Sequence, residues 1–107
     1  MNGKLTTHVL DTRLGKPAAG MKIELFVAGK LFASHTTNTD GRTQDPLIAS
    51  GSLEKGEYEI RFHVGSYFQE KNFLDIVPIR FLITDPSQNF HVPLLCSPWS
   101  YTTYRGS

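Results

Sequence analysis

Short runs that alternate apolar and polar side chains, cut by glycine, proline, asparagine and aspartate, confine this chain to an all-β fold. Met21, Ile23, Leu25 and Val27 share one face, opposite Lys22 and Glu24. Tyr58, Ile60, Phe62 and Val64 share another, against Glu57, Glu59, Arg61 and His63. Val77, Ile79, Phe81 and Ile83 repeat the pattern, with Pro78 and Leu82 blurring the second face. Further strands are predicted over Leu5 to Asp11, Leu31 to Thr37, Phe90 to Ser97 and Tyr101 to Tyr104. Turns are marked by Gly15-Lys16-Pro17, Ala28-Gly29-Lys30, Asp40-Gly41, Glu54-Lys55-Gly56 and Asp85-Pro86-Ser87. One short helix is predicted over Tyr67 to Asn72, with Ser66 as its cap and Gln69 as the return arm of a capping box. About seven to eight strands with regular turns point to a two-sheet β-sandwich.

The run from Phe90 to Ser97 departs from this amphipathic rule. Phe90, Val92, Leu94 and Cys96 lie on one face and His91, Pro93, Leu95 and Ser97 on the other, and both faces are largely apolar. A sandwich strand meets the core on one side only, so an apolar outer face calls for a second partner, most simply another subunit. Pro93 also suits an edge or a bulge better than a central strand. The pattern leaves both readings open.

The 107 residues are one domain, 1–107. A chain of this length buries only roughly two-thirds of its unfolded surface, which leaves little room for a deep private pocket. A formal net charge of +1 argues against a nucleic-acid binder that relies on a basic surface. The apolar runs are too short for a membrane span. The opening Met1 to His8 carries no apolar signal-peptide core, so a cytoplasmic protein is expected, or a periplasmic one whose leader has been removed. The single cysteine, Cys96, excludes an intrachain disulfide framework and any multi-cysteine zinc site. It reads as a small core residue, and no metal or other cofactor is expected.

The histidines are His8, His35, His63 and His91, and none forms a local metal pair with another. His63 shares its face with charged residues and reads as solvated; His35 lies in a polar stretch and reads as surface. His8 shares a face with Thr6 and Leu10, and His91 lies on the apolar outer face, where burial or a neighbour can tune an imidazole. These two are the candidates for acid–base chemistry. Arg42, after the Asp40-Gly41 turn, offers a planar donor fork for a ureido or carboxylate-like group. The aromatic and arginine-containing ending Tyr101 to Ser107 reads as a docked terminus. Gly-rich phosphate loops, a Gly-x-Ser-x-Gly elbow and a His-Glu-x-x-His motif are missing from the sequence.

Two stretches carry a family resemblance over nearly the whole chain. His8-Val9-Leu10-Asp11-Thr12-Arg13-Leu14-Gly15-Lys16-Pro17-Ala18-Ala19-Gly20-Met21-Lys22-Ile23 resembles the N-terminal signature of the transthyretin family. Phe90-His91-Val92-Pro93-Leu94-Leu95-Cys96-Ser97-Pro98-Trp99-Ser100-Tyr101-Thr102-Thr103-Tyr104 resembles its C-terminal signature. The ending Tyr104-Arg105-Gly106-Ser107 is similar to that of the family's enzyme branch, the 5-hydroxyisourate hydrolases. The hormone-carrier branch has lysine in place of His8, threonine in place of His91 and glutamate near Arg42, and it continues past Ser107.

The resemblance implies a transthyretin-like sandwich with a short helix after the fifth strand. It also implies a homotetramer, a dimer of dimers around a channel. For the hydrolase branch it implies active sites in that channel, lined by more than one subunit. His8 and His91 would activate water and shuttle its proton, and Arg42 would orient substrate and stabilise the carbonyl oxygen. Tyr104, Ser107 and Arg105 would bind substrate, with anchoring of the tail as the other reading for Arg105. One departure stands out. Many hydrolases carry a His-aromatic-His triplet, and this chain has Asn89-Phe90-His91. The alternatives are a non-catalytic small-molecule carrier and an interaction sandwich without a small ligand.

Overall fold

The structure, a computed structural model, describes residues 1–106. Among these, eight strands form two four-stranded sheets. Strands β1 (Leu5–Asp11), β2 (Lys16–Pro17), β7 (Phe90–Cys96) and β8 (Tyr101–Thr103) make the first, in the order β2-β1-β7-β8. Strands β3 (Lys22–Val27), β4 (Lys30–Thr36), β5 (Gly56–His63) and β6 (Ile76–Ile83) make the second, in the order β4-β3-β5-β6. No described helix is long and apolar enough to cross a membrane.

The sheets bury the apolar faces read from the sequence. Leu5, Val9 and Leu94 from the first sheet meet Ile23, Leu25, Ile60 and Phe62 from the second, all fully buried. Each such side chain contributes roughly 1.5–3 kcal/mol by leaving water. In β1 the alternation is complete: Leu5, Thr7, Val9 and Asp11 are buried, while Thr6, His8 and Leu10 lie half-buried on the outer face. The buried Thr7 hydroxyl donates to the Val92 carbonyl, so the inward polar residue costs no unmet hydrogen bond.

β1 and β7 run parallel, with Thr6 opposite His91, His8 opposite Pro93 and Leu10 opposite Leu95. This register joins the two outer faces of interest into one surface. β7 lies between β1 and β8, so Pro93 occupies an inner strand and not an edge. It is tolerated there because the β8 ladder begins at Leu94, one residue on.

Helix α1 spans Val64–Phe68, earlier than the sequence pattern indicates. His63 is its N-cap and offers no side-chain cap, and Gln69 is its C-cap in the left-handed region at φ 55°. The capping box loses to burial. Val64, Gly65 and Phe68 face the core and place the helix directly on the end of β5. A Cβ on Gly65 would lie 2.8 Å from the Asp75 carboxylate, so the helix approaches the following segment closely.

Two polar residues expected in solvent are engaged. Glu59 is buried and receives the guanidinium groups of Arg61 and Arg80. The Arg61 hydrogen bond is the main cause holding its carboxyl below the usual range. His63 Nε2 lies 2.6 Å from Glu24 Oε1 across the β3–β5 pair.

Candidate active site on the outer face of the first sheet

The outer face of β1 and β7 presents Thr6, His8 and Leu10 beside His91, Pro93 and Leu95. Thr6 Oγ1 is 2.8 Å from His91 Nδ1. The His91 imidazole is pushed below the ordinary histidine value, first by burial and then by the positive fields of Arg42 and His8. Three residues singled out in the sequence therefore converge here, and a neutral His91 base is available at neutral pH.

Arg42 reaches this surface on a loop built by Asn38. The Asn38 side-chain oxygen accepts from the backbone N–H groups of Asp40 and Arg42. The Asn38 N–H donates to the Arg42 carbonyl at 2.8 Å, and the Gly41 N–H donates to the Asn38 carbonyl at 2.9 Å. The loop is tied to β1 by the Val9 N–H, which donates to the Gly41 carbonyl at 2.8 Å. Arg42 then lines a cleft of about 150 Å³ with Thr6, Thr7, Thr43, Gln44, Asp45 and Pro46.

Gly41 makes the approach feasible. Its φ is 73°, and a Cβ there would stand 2.3 Å from the Val9 carbonyl oxygen. Gly41→Ala is expected to cost about 1–3 kcal/mol and to lift Arg42 off the surface. Urea unfolding and a steady-state rate on the same variant measure both effects.

The C-terminal tail docks along β7. The Gly106 N–H donates to the His91 carbonyl at 2.7 Å, forming an isolated antiparallel bridge. Arg105 is engaged on the other face of the strand: its guanidinium lies 4.3 Å from the Phe90 ring centroid and donates to Gln88 Oε1 and the Asn89 carbonyl. The Asn89 side chain accepts from the Lys4 N–H and so joins the starts of β1 and β7. Tyr104 is exposed and lines an open cleft of about 280 Å³ with Phe81, Leu82 and Phe90 between the edges of β6 and β8. Ser107 lies outside the described residues.

The remaining candidates are elsewhere. His35 and His63 belong to the second sheet. Cys96 is buried, and its thiol is pushed up to about 12, mainly by burial, which leaves it inert as a nucleophile. Thr6, Asn38, Gly41 and Gly106 carry much of the geometry and were not singled out for it in the sequence. The Asp40-Gly41 signal marks the turn, but not the Asn38 side-chain bonds that build it. Thr6 alternates with His8, but its contact with His91 depends on the β1–β7 register.

A family model described as the HIUase/Transthyretin family matches residues 5–106. The chain belongs to the HIUase/Transthyretin family. Among similar family members, a 5-hydroxyisourate hydrolase of Deinococcus radiodurans is 52% identical, over 96% of this chain and 95% of that protein. The structure of the Klebsiella pneumoniae 5-hydroxyisourate hydrolase superposes with a TM-score of 0.86 at 32% identity, covering 98% of this chain and 100% of the other. The crystal structure of an (S)-allantoin synthase superposes with a TM-score of 0.93 at 42% identity. That match covers 99% of this chain but only 44% of the synthase, so this chain spans under half of the larger protein.

Proposed function

We propose that this HIUase/Transthyretin family member is a hydrolase that opens 5-hydroxyisourate in urate degradation. The observation that carries the reading is the 52% identity to the Deinococcus radiodurans hydrolase along nearly the full length of both chains. The convergence of His8, Arg42 and His91 supplies chemistry suited to it.

In this reading His91 takes a proton from water as the water oxygen attacks a ring carbonyl. Arg42 stabilises the negative charge that develops on the carbonyl oxygen. The ring C–N bond then breaks, and the departing nitrogen leaves with a proton delivered by the imidazolium. His8 relays protons between His91 and solvent. The carbonyl becomes the carboxylate of 2-oxo-4-hydroxy-4-carboxy-5-ureidoimidazoline. Neither a covalent intermediate nor a cofactor enters this scheme. Tyr104 and Ser107 are assigned to shaping the substrate pocket, and Arg105, held against Phe90 and Gln88, to anchoring the tail.

The working form is assigned as a homotetramer, with sites completed between subunits. The half-buried Leu10 and Leu95 on the outer face support a covered surface. Cytoplasmic residence is proposed, and the lone free cysteine, Cys96, fits it.

The test generates 5-hydroxyisourate freshly from urate with urate oxidase, because the compound also decays unaided. Faster loss with a stereochemically biased product is the expected result. Decay at the spontaneous rate, with or without binding of an aromatic hormone, overturns the hydrolase reading; hormone binding in that case favours a carrier. Residues appended after Ser107 are expected to lower turnover at least about tenfold, because Gly106 docks against His91 and an extension would crowd the same surface. Comparing tagged protein before and after protease removal of the tag checks this.

A further inference from the structure

The two ring nitrogens of His91 have different surroundings. Nδ1 faces Thr6 Oγ1 at 2.8 Å. The Cδ2 edge is covered by Gly106, where an added Cβ would stand only 2.7 Å from Cδ2 and 3.3 Å from Cγ. The tail backbone is fixed there by the Gly106 bridge to the His91 carbonyl and by the Arg105 clasp one residue earlier. The ring is thus held at one nitrogen and along the opposite carbon edge. Neither contact involves Cε1 or Nε2.

We infer that Thr6 and Gly106 are positioning residues that clamp the His91 imidazole as its Nδ1–H tautomer, so that Nε2 carries the lone pair that receives the proton from water. The choice of tautomer rests on the hydrolase reading, because the Thr6 hydroxyl can either accept from or donate to Nδ1. In the clamp Nδ1–H donates to Thr6 Oγ1, and the Thr6 hydroxyl hydrogen turns to solvent. The reverse arrangement would put the ring hydrogen on Nε2 and leave no base facing substrate. Gly106 is required because any side chain at this position would displace the ring from Thr6. No property of glycine other than the missing Cβ is needed.

The sign of the pH effect separates the two hydrogen-bond directions. The titratable and charged groups facing the ring are His8 from β1 and Arg42 from the loop. From the tail Gly106 offers only backbone. An acceptor at Nδ1 favours the imidazolium, so its removal lowers the pH at which His91 protonates. A donor at Nδ1 favours the neutral ring, so its removal raises that pH.

The test uses the full chain labelled with ¹⁵N-histidine. Two-bond ¹⁵N–¹H correlation spectra above pH 7 are expected to show His91 with a protonated Nδ1 and a bare Nε2. Thr6→Val, which keeps the shape and removes the hydroxyl, is expected to mix the tautomers and lower kcat at least about tenfold with KM little changed. It is also expected to move the acid limb of the rate profile to lower pH. Thr6→Ser is expected to restore all three, and Gly106→Ala to behave like Thr6→Val. A neutral wild-type His91 protonated at Nε2, or a Thr6→Val enzyme with wild-type tautomer and kcat, overturns the clamp. A wild-type protein that shows the Nδ1–H tautomer yet leaves 5-hydroxyisourate at its spontaneous rate supports the clamp and overturns the function instead.

Discussion

Replacing His91 with alanine is expected to lower kcat for 5-hydroxyisourate by about 10²–10⁴-fold, the usual contribution of a general base. The substitution removes an imidazole whose proton affinity is lowered first by burial and then by Arg42 and His8. His91 is half-buried on the outer face of the sheet and is not part of the core, so circular dichroism and size-exclusion elution should match the wild type. The pH profile gives a second signature. A base whose proton affinity is lowered stays neutral to more acidic pH, so the acid limb of kcat/KM in the wild type should lie below the ordinary histidine value of about 6.5. Arg42 is one of the causes of the lowering, so Arg42→Gln should move this limb upward as well as slow turnover. A His91→Ala protein with near-wild-type rates, or an Arg42→Gln limb that moves down, would defeat the assignment.

Asp11→Ala is expected to give the largest loss of stability outside the apolar core. Asp11 is only 1% exposed and stands at the end of β1. Its Oδ1 accepts from the Arg13 and Leu14 N–H groups, closing the turn that leads towards β2. Its Oδ2 accepts from the Tyr67 hydroxyl at 2.8 Å, which ties the first sheet to α1. Burial pushes the Tyr67 phenol up to about 12, with Asp11 as the next cause, so the hydroxyl remains a donor at any ordinary pH. Removing the carboxylate deprives three donors at once. Hydrogen bonds to a charged acceptor are worth about 1.5–3 kcal/mol each, and the two turn N–H groups can regain water, so a net loss of about 3–5 kcal/mol is expected. Asp11→Asn keeps the oxygen that serves the turn, and the Tyr67 hydroxyl can turn to accept from the new amide, so it should recover most of the loss. Urea denaturation of both variants is the measurement, and equal losses would show that charge, and not the donor set, is what matters.

Much of the fold was legible because burial acts on side-chain alternation. Leu5–Asp11 appears in the sequence as it stands in the structure, and the apolar faces of β3, β5 and β6 point inward as their period predicts. The misplaced helix shows where this breaks down. Ser66 and Gln69 have the spacing of a capping box, yet the helix starts at Val64 because docking Val64 and Phe68 outweighs one capped N–H. Glu59 and His63 were read as solvated because their partners, Arg80 and Glu24, lie on other strands. The same limit governs the site. His8, His91 and Arg42 could be nominated by residue type and by family resemblance. Their neighbours Thr6 and Gly106 matter only through strand register and close backbone approach, which no local pattern encodes; at Gly41 the local pattern marks the turn but not its approach to Val9.

The parallel pairing of β1 with β7 sets the order in which the molecule can be assembled. Thr6 and His91 are 85 positions apart, and the first sheet cannot gain its central ladder until β7 exists. The second sheet is made largely of neighbours in sequence, the β3–β4 and β5–β6 pairs, and can form while the chain is still being synthesised. Closing a loop that spans most of the chain is an entropic barrier of the kind that places all-β domains in the roughly millisecond-to-second range of folding times. The outer-face site draws on both β1 and β7 and therefore forms only once β7 has joined the sheet.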